Sequence, residues 1–423
     1  MPFPTKVARA AGTGASVPVE QCQICGSDTL DAVLSLGYMP PVNQMVPIGQ
    51  VPRQQPWFPT ELLHCRQCDL VQLGLAVDPV IIFPLEYPYT SGTTKLLRDN
   101  FADLYAESSK MLGLKADDFV VDIGSNDGTL ISNFQKGGHR ILGIEPTDVS
   151  RIANERGIPT IRRYFGRDTA KEVKAKHGPA SVVTAANCFA HIEDVHAIVE
   201  GIVEMLGDKG VFISESHYLI PLLDTLQYDT VYHEHLRYYS LGSLKYLLEM
   251  HGLEVFHARP IPSHGGSIRV YAARKGAHKV QDSVARMLAA EPRGEAMAQR
   301  LAKFRDDVVL SKLRLMSMLR DLKEKGARIA GISAPSRAST MVNYVGLDEG
   351  LIDYVVEIQG SLKIGKCMPG TGIPVVDEAK LFADQPDAAL IFSWHIADEL
   401  APKLRAKGFR GQLITPLPVP RAL

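Results

Sequence analysis

Two pairs of cysteines stand at metal-binding spacing, Cys22-Gln-Ile-Cys25 and Cys65-Arg-Gln-Cys68. A Cys-x2-Cys turn brings two thiolates to one ion, and a second turn completes a tetrahedral shell. Such a shell leaves no open position for a substrate or an activated water, so the reading is a structural zinc held by Cys22, Cys25, Cys65 and Cys68. The competing reading packs the four as small apolar side chains. Two knuckles among only six cysteines argue against it. The stretch between the knuckles is rich in Pro and Gly and shows little periodic pattern. Arg53 is its one cation against Asp28, Asp31 and Glu61, the wrong balance for gripping nucleic-acid phosphates.

A second constellation follows the apolar run Phe119-Val-Val-Asp-Ile123. There Gly124-Ser-Asn-Asp-Gly128 precedes a helical segment starting near Thr129. Gly124 and Gly128 let the backbone approach a ligand, and the helix behind them presents its N–H groups. Glu145 closes the next run, Arg140-Ile-Leu-Gly-Ile144, and could accept hydrogen bonds from both hydroxyls of a ribose. The pattern is G-x-N-x-G, which departs from the dinucleotide fingerprint and makes an NAD site the weaker reading. A lone Gly-x-x-x-Gly loop also suits an ordinary tight turn. Further runs at Ala180–Thr184, before Asn187, and Gly210–Ser214 make four strands separated by helix-length segments. That order implies a parallel, doubly wound sheet, with Asp122 to Gly128, Glu145 and Asn187 around one crevice at its carboxyl edge.

The third constellation, Tyr232-His233-Glu234-His235, lies in the long connection after the fourth strand, where acceptor-binding groups belong. An extended segment would set His233 and His235 on one face as a metal pair, although no third ligand is evident. A structural reading has the histidines cap a loop. The catalytic reading uses a neutral histidine as general base beside an orienting carboxylate. Downstream come a capped amphipathic helix at Ser240–Gly252 and an antiparallel pair at Leu253–Phe256 and Ser267–Tyr271. A packing helix then carries Leu301, Phe304, Val308, Leu315 and Leu322, and a second α/β sheet has strands at 327–332, 354–356 and 388–392.

The 423 residues are 45% hydrophobic and 22% charged, which fits two or three folded domains. Forty-six basic residues against 47 acidic ones leave no global field for nucleic acid or anionic membranes. The uncharged stretch Ala32–Pro52 carries four prolines and cannot be a transmembrane helix. The first twenty residues lack a secretory apolar run, so the expected location is the reducing cytoplasm.

Taken in order, the cysteine knuckles, Leu36-Gly-Tyr-Met-Pro-Pro-Val-Asn43, Asp122-Ile-Gly-Ser-Asn-Asp-Gly128, Gly143-Ile-Glu-Pro146, Tyr232-His-Glu-His235 and His264-Gly-Gly-Ser267 resemble the sugar C-methyltransferases, over nearly the whole chain. The resemblance implies a class I methyltransferase (Rossmann-like) α/β domain binding S-adenosylmethionine at residues 86–276. A leader at 1–20 and a zinc module at 21–85 would precede it, and an acceptor-binding α/β domain at 277–423 would follow. Gly124, Ser125, Asn126 and Gly128 would lie at the methionine and ribose side, Glu145 on the ribose, and Asn187 and His191 at the methyl donor. The implied acceptor is a nucleotide-linked keto-deoxysugar. His235 would be the base, with Tyr232 and Glu234 as partners and Tyr87 near the sugar. His264 would join the acceptor site, as would the loop of Ser336 and Arg337, the latter on a diphosphate. This loop reads Ser333-Ala-Pro-Ser-Arg-Ala338 where the family usually has Gly-Ala-Pro-Ala-Lys-Gly, and Glu357-Ile-Gln-Gly-Ser-Leu-Lys363 replaces an Asp-x-x-Pro-His-Lys type stretch. Further expectations are a monomer or dimer and no nucleic-acid or membrane partner. Competing functions are O- or N-methylation of a related small molecule, or a non-catalytic zinc-containing binding protein.

Overall fold

The segment between the cysteine pairs forms a sheet, contrary to its patternless composition. The computed structural model describes residues 10, 12–50, 53–83 and 90–423, and in it Leu30–Met39 (β1), Phe58–Cys65 (β2) and Val71–Leu73 (β3) pair antiparallel. The register of β1 against β2 slips twice, between Ala32 and Leu34 and between Ser35 and Tyr38. Each bulge breaks the two-residue alternation by which a half-buried strand is recognised in sequence.

The central sheet follows the expected order. Its strands are Phe119–Ile123 (β4), Arg140–Ile144 (β5), Thr160–Ile161 (β6), Ala180–Ala186 (β7) and Leu206–His217 (β8), all parallel. After β8 a short strand, Arg237–Tyr238 (β9), leaves this sheet and pairs with β3 of the cysteine module. Leu253–Ile261 (β10) and Ser267–Arg274 (β11) then close the central sheet antiparallel, giving the order β10-β11-β8-β7-β4-β5-β6. Every side chain of β4 is buried, as a strand covered on both faces requires. The helix foreseen at Ser240–Gly252 runs Leu241–Met250, with Ser240 and Ser243 in a reciprocal capping box.

The third sheet is built from Ile329–Ile332 (β12), Tyr354–Glu357 (β13), Val375–Asp377 (β14), Ala388–Ile391 (β15), Gln412–Thr415 (β16) and Arg421–Ala422 (β17), in the order β14-β13-β12-β15-β16-β17. The packing helix before it spans Glu295–Glu324 and buries Leu301, Phe304, Val308 and Leu315. Two cores meet in the cysteine module. Val33, Leu34, Leu62 and Leu73 pack with Met341, Val355 and Phe392 of the third sheet's core. Cys22, Ile24, Cys65 and Cys68 pack with the core of the central sheet. No helix among the described residues is long and apolar enough to cross a membrane.

An ionic cluster fixes the helix Lys95–Leu112 (α1) against the central sheet. The fully buried Arg269 of β11 donates to Glu215 of β8 at 3.0 Å and to Asp103 and Glu107 of α1 at 2.9 and 2.6 Å. Removing one partner of a buried pair strands the other charge, at about 3–5 kcal/mol. Arg269→Met is therefore expected to lower the unfolding free energy by about that amount, read as a fall in the urea midpoint.

Candidate active site

The four knuckle sulfurs lie within 4.8 Å of one another, the only metal-holding group of this kind among the described residues. Two sulfur pairs, Cys22–Cys68 and Cys25–Cys65, stand 3.5 and 3.4 Å apart. A tetrahedral zinc with Zn–S of about 2.3 Å needs edges near about 3.8 Å, so the donor set fits that ion. The turns close locally, with Gly26 N–H on the Cys22 carbonyl at 2.9 Å and Asp69 N–H on the Cys65 carbonyl at 3.0 Å. Cys65 ends β2 and Cys68 precedes β3. The ion would thus lock the β2–β3 hairpin on which β9 is seated.

At the carboxyl edge of the central sheet, the Asn126 N–H donates to Glu145 Oε2 at 3.0 Å, and the Thr147 N–H donates to Oε1 at 2.9 Å. Gly124, Ser125, Asn126 and Glu145 therefore meet as expected. Gly124 has φ +66°, and a Cβ there would come 2.8 Å from Cys188 Cβ, so only glycine fits. Gly128 has φ +76° and lies against Ile158, which makes it a packing glycine. The Asn126 side chain accepts the Ser91 N–H at 2.8 Å and so holds the segment before α1 over the loop. Asn187, at φ +57°, keeps both amide atoms buried without a protein partner, and the Ser125 hydroxyl is likewise unpartnered. An unmet buried amide costs about 1–3 kcal/mol, so these atoms fit a polar ligand such as S-adenosylmethionine.

The Tyr232–His235 segment is a turn rather than an extended strand, closed by the His235 N–H on the Tyr232 carbonyl at 2.9 Å. This corrects the alternation expected for the motif. His233 turns to Thr60 Oγ1 at 3.0 Å, while His235 Nδ1 meets the Thr230 carbonyl at 2.8 Å, so the His-x-His metal pair does not form. A carbonyl only accepts; Nδ1 therefore carries the proton and Nε2 the lone pair. The His235 ring lies 4.0 Å from Tyr232 and 4.9 Å from His191, centroid to centroid. It also lies 5.2 Å from His217, which in turn stacks on His264 at 5.6 Å. Burial holds His235 well below the ordinary histidine range, reinforced by His191. Burial also holds His191 and His264 down to about 4, the latter with Arg337 adding to the effect. The Glu234 carboxylate accepts from Asn43 Nδ2 at 2.6 Å, and Asn43 Oδ1 accepts from Ser336 Oγ at 3.0 Å. Tyr87 lies outside the described residues.

Arg337 opens a helix of the third sheet, Ser336–Val345 (α2). Its Nε and one terminal nitrogen clasp Asp229 at 2.7 and 2.8 Å, and its other contacts are Gln227 Oε1, the His264 carbonyl and His395 Nδ1. Its donors are therefore spent within the protein rather than turned toward a diphosphate.

Three family descriptions tile the chain: a zinc binding domain over residues 22–83, a methyltransferase domain over 94–258 and a C-methyltransferase C-terminal domain over 262–418. C-methyltransferase NovU of Streptomyces niveus is 32% identical over 96% of this chain and 97% of its own. The chain belongs to this C-methyltransferase family. It is an S-adenosylmethionine-dependent C-methyltransferase of class I fold with a zinc module and a second C-terminal domain. Matches to solved structures include an S-adenosylmethionine-dependent methyltransferase from Clostridium acetobutylicum (12% identity, 42% of this chain and 92% of that one, TM-score 0.33). Another is the glycopeptide N-methyltransferase MtfA (12% identity, 41% and 95%, TM-score 0.34).

Three side chains in this C-methyltransferase escaped the sequence reading as site groups: Asn43, His217 and Asp229; Lys363 and Trp394 lie in stretches that depart from the family pattern where the acceptor is expected. His217 ends β8 and Asp229 lies in the connection that follows, and nothing in their spacing marked their partners. Lys363 comes from the C-terminal domain, and its ammonium donates to the Ala334 carbonyl at 2.6 Å. Burial lowers it from the usual lysine range, while Glu357 and Glu234 oppose the shift. The hairpin argument gives a direct check. Wild-type protein should carry about one zinc per chain by elemental analysis. Cys68→Ser should lose it together with thermal stability and more than about tenfold in turnover, read by calorimetry and methyl transfer.

Proposed function

We propose that the acceptor is a nucleotide-linked keto-deoxysugar, methylated at the carbon beside its ketone, and that His235 is the base. The observation that carries this reading is the His235 tautomer: Nδ1 is committed to the Thr230 carbonyl, which leaves a neutral Nε2 lone pair among His191, Tyr232 and His217. A neutral imidazole can remove a proton from carbon where a neighbouring group such as a carbonyl delocalises the charge. A keto acceptor meets that condition. S-adenosylmethionine supplies the electrophilic methyl. On this chain's side His235 takes the proton, and hydrogen-bond donors near it, Tyr232 and His191, stabilise the enolate oxygen. Asn187 and Glu145 hold the donor.

The acceptor's phosphates belong in a cleft of about 410 Å³ between the zinc module and the C-terminal domain, lined by Asn43, Gln44, Arg53, Gln54, Lys363 and Lys366 among others. Three cations and several amides suit a diphosphate. Asn43 joins the two sites, since it lines the cleft and also donates to Glu234 in the catalytic turn. In this division of labour residues 86–276 hold the donor, while residues 21–85 and 277–423 hold the acceptor from both sides.

A turnover screen of keto-deoxysugar nucleotides tests the substrate class, with NMR locating the new methyl. Transfer to oxygen or nitrogen would refute it. His235→Ala should abolish turnover while leaving donor affinity by calorimetry near wild type. Because burial and the nearby histidines lower the His235 pKa, the base stays neutral below the usual range. The acid limb of kcat/KM should accordingly lie below about pH 6.5, and a limb above that value would contradict the assignment. Lys363→Gln should raise the acceptor KM by about tenfold or more, with kcat changed far less.

A further inference from the structure

Asp229 is fully buried one residue before Thr230, whose carbonyl orients His235, and among the described residues its side-chain hydrogen-bond donors, Arg337 and Trp394, come from the C-terminal domain. Its Oδ2 accepts from Arg337 Nε at 2.7 Å and from Trp394 Nε1 at 2.8 Å, and its Oδ1 accepts from Arg337 at 2.8 Å. The same guanidinium reaches Gln227 Oε1 at 3.2 Å and the His264 carbonyl at 3.3 Å. Gln227 Nε2 in turn donates to the Gly265 carbonyl at 2.7 Å. Thr340, one helical turn beyond Arg337, donates to the Val231 carbonyl at 3.2 Å. Bidentate arginine pairs fix orientation as well as distance. One helix therefore pins the 227–231 segment on both sides of Thr230, together with the loop carrying His264.

We propose that Arg337 is a positioning residue for the methyl-transfer base: by clasping Asp229 it fixes the Thr230 carbonyl and hence the tautomer and aim of His235. This rests on the reading of His235 as base. It also assigns the C-terminal domain a part in the chemical step, in addition to any part in acceptor binding.

The pair acts on His235 in a second way, because Asp229 and Arg337 cancel each other's charge. The other groups around His235 are His191, His217 from β8, His264 from the loop before β11, and Tyr232 and Tyr238 on its own connection. Removing the guanidinium leaves the Asp229 carboxylate uncompensated. That favours imidazolium and moves the acid limb of kcat/KM to higher pH. Removing the carboxylate charge leaves Arg337 uncompensated, which disfavours imidazolium and moves the limb to lower pH.

The test is a four-variant pH series, Arg337→Gln, Asp229→Asn, the double variant and Arg337→Lys, with donor binding by calorimetry as the folding check. Arg337→Gln should lose roughly 100-fold in kcat, the scale of a misaimed catalytic group, with a smaller change in acceptor KM. The single variants should shift the limb in opposite directions, the double variant should return it toward wild type, and Arg337→Lys should recover part of kcat. If Arg337→Gln failed to fold, the limb shift of Asp229→Asn and the kcat of Arg337→Lys would still decide. The proposal is overturned if Arg337→Gln raises acceptor KM with kcat intact, the mark of a phosphate ligand. It is equally overturned if activity falls with no limb movement and no rescue by lysine, the mark of a purely structural contact. An active His235→Ala enzyme would defeat the base reading itself; an inactive one combined with an unmoved limb would defeat only the role of Arg337.

Discussion

An imidazole buried deeply enough to stay neutral must still place its one N–H, and the 2.8 Å contact between His235 Nδ1 and the Thr230 carbonyl is where this protein places it. Water would hold that N–H equally well at a surface, but then the ring could protonate and turn. Inside the protein the carbonyl fixes the tautomer, and the ring's other nitrogen is left as the acceptor. The architecture around this contact makes one backbone oxygen stay still. A connecting segment cannot do that unaided, because its backbone groups have no ladder of their own.

Three units share the task. From the zinc module, β3 receives β9 two residues after His235, and the Leu236 N–H and carbonyl bridge the Ala190 carbonyl and the Leu73 N–H at 3.0 Å each. From the central domain, the main-chain carbonyls of Ile192 and Glu193 accept both ends of the Arg237 guanidinium at 2.6 Å. From the C-terminal domain come Arg337, Thr340 and Trp394. This explains a chain whose zinc cysteines sit in one hydrophobic core and whose zinc-module sheet sits in another. The metal centre has a closed ligand set, and its contribution is to the rigidity of the hairpin on which β9, just after the proposed base, is seated.

The parts legible in the sequence were those governed by local rules. The run Phe119–Ile123, the capped helix after Ser240 and the paired cysteines each carry their own periodicity or spacing, and all appear where expected. The zinc-module strands did not show because two bulges erase the alternation of β1, and strands β14 and β17, of three and two residues, are too short to carry a period. The turn at Tyr232–His235 was hidden for a different reason. Its shape is set by Thr60, Pro59 and Asn43, between 170 and 195 positions away in sequence. Arg337 was recognised as a cation suited to phosphate, but its partner Asp229 lies 108 residues earlier, and only the folded arrangement shows that the charge is already answered.

The most direct test of the central claim separates proton removal from methyl transfer. With S-adenosylhomocysteine in place of the donor and a keto-deoxysugar nucleotide in deuterated water, the wild-type enzyme should wash deuterium into the carbon beside the ketone, while His235→Ala should leave that carbon protonated. Equal exchange by both proteins would contradict the account.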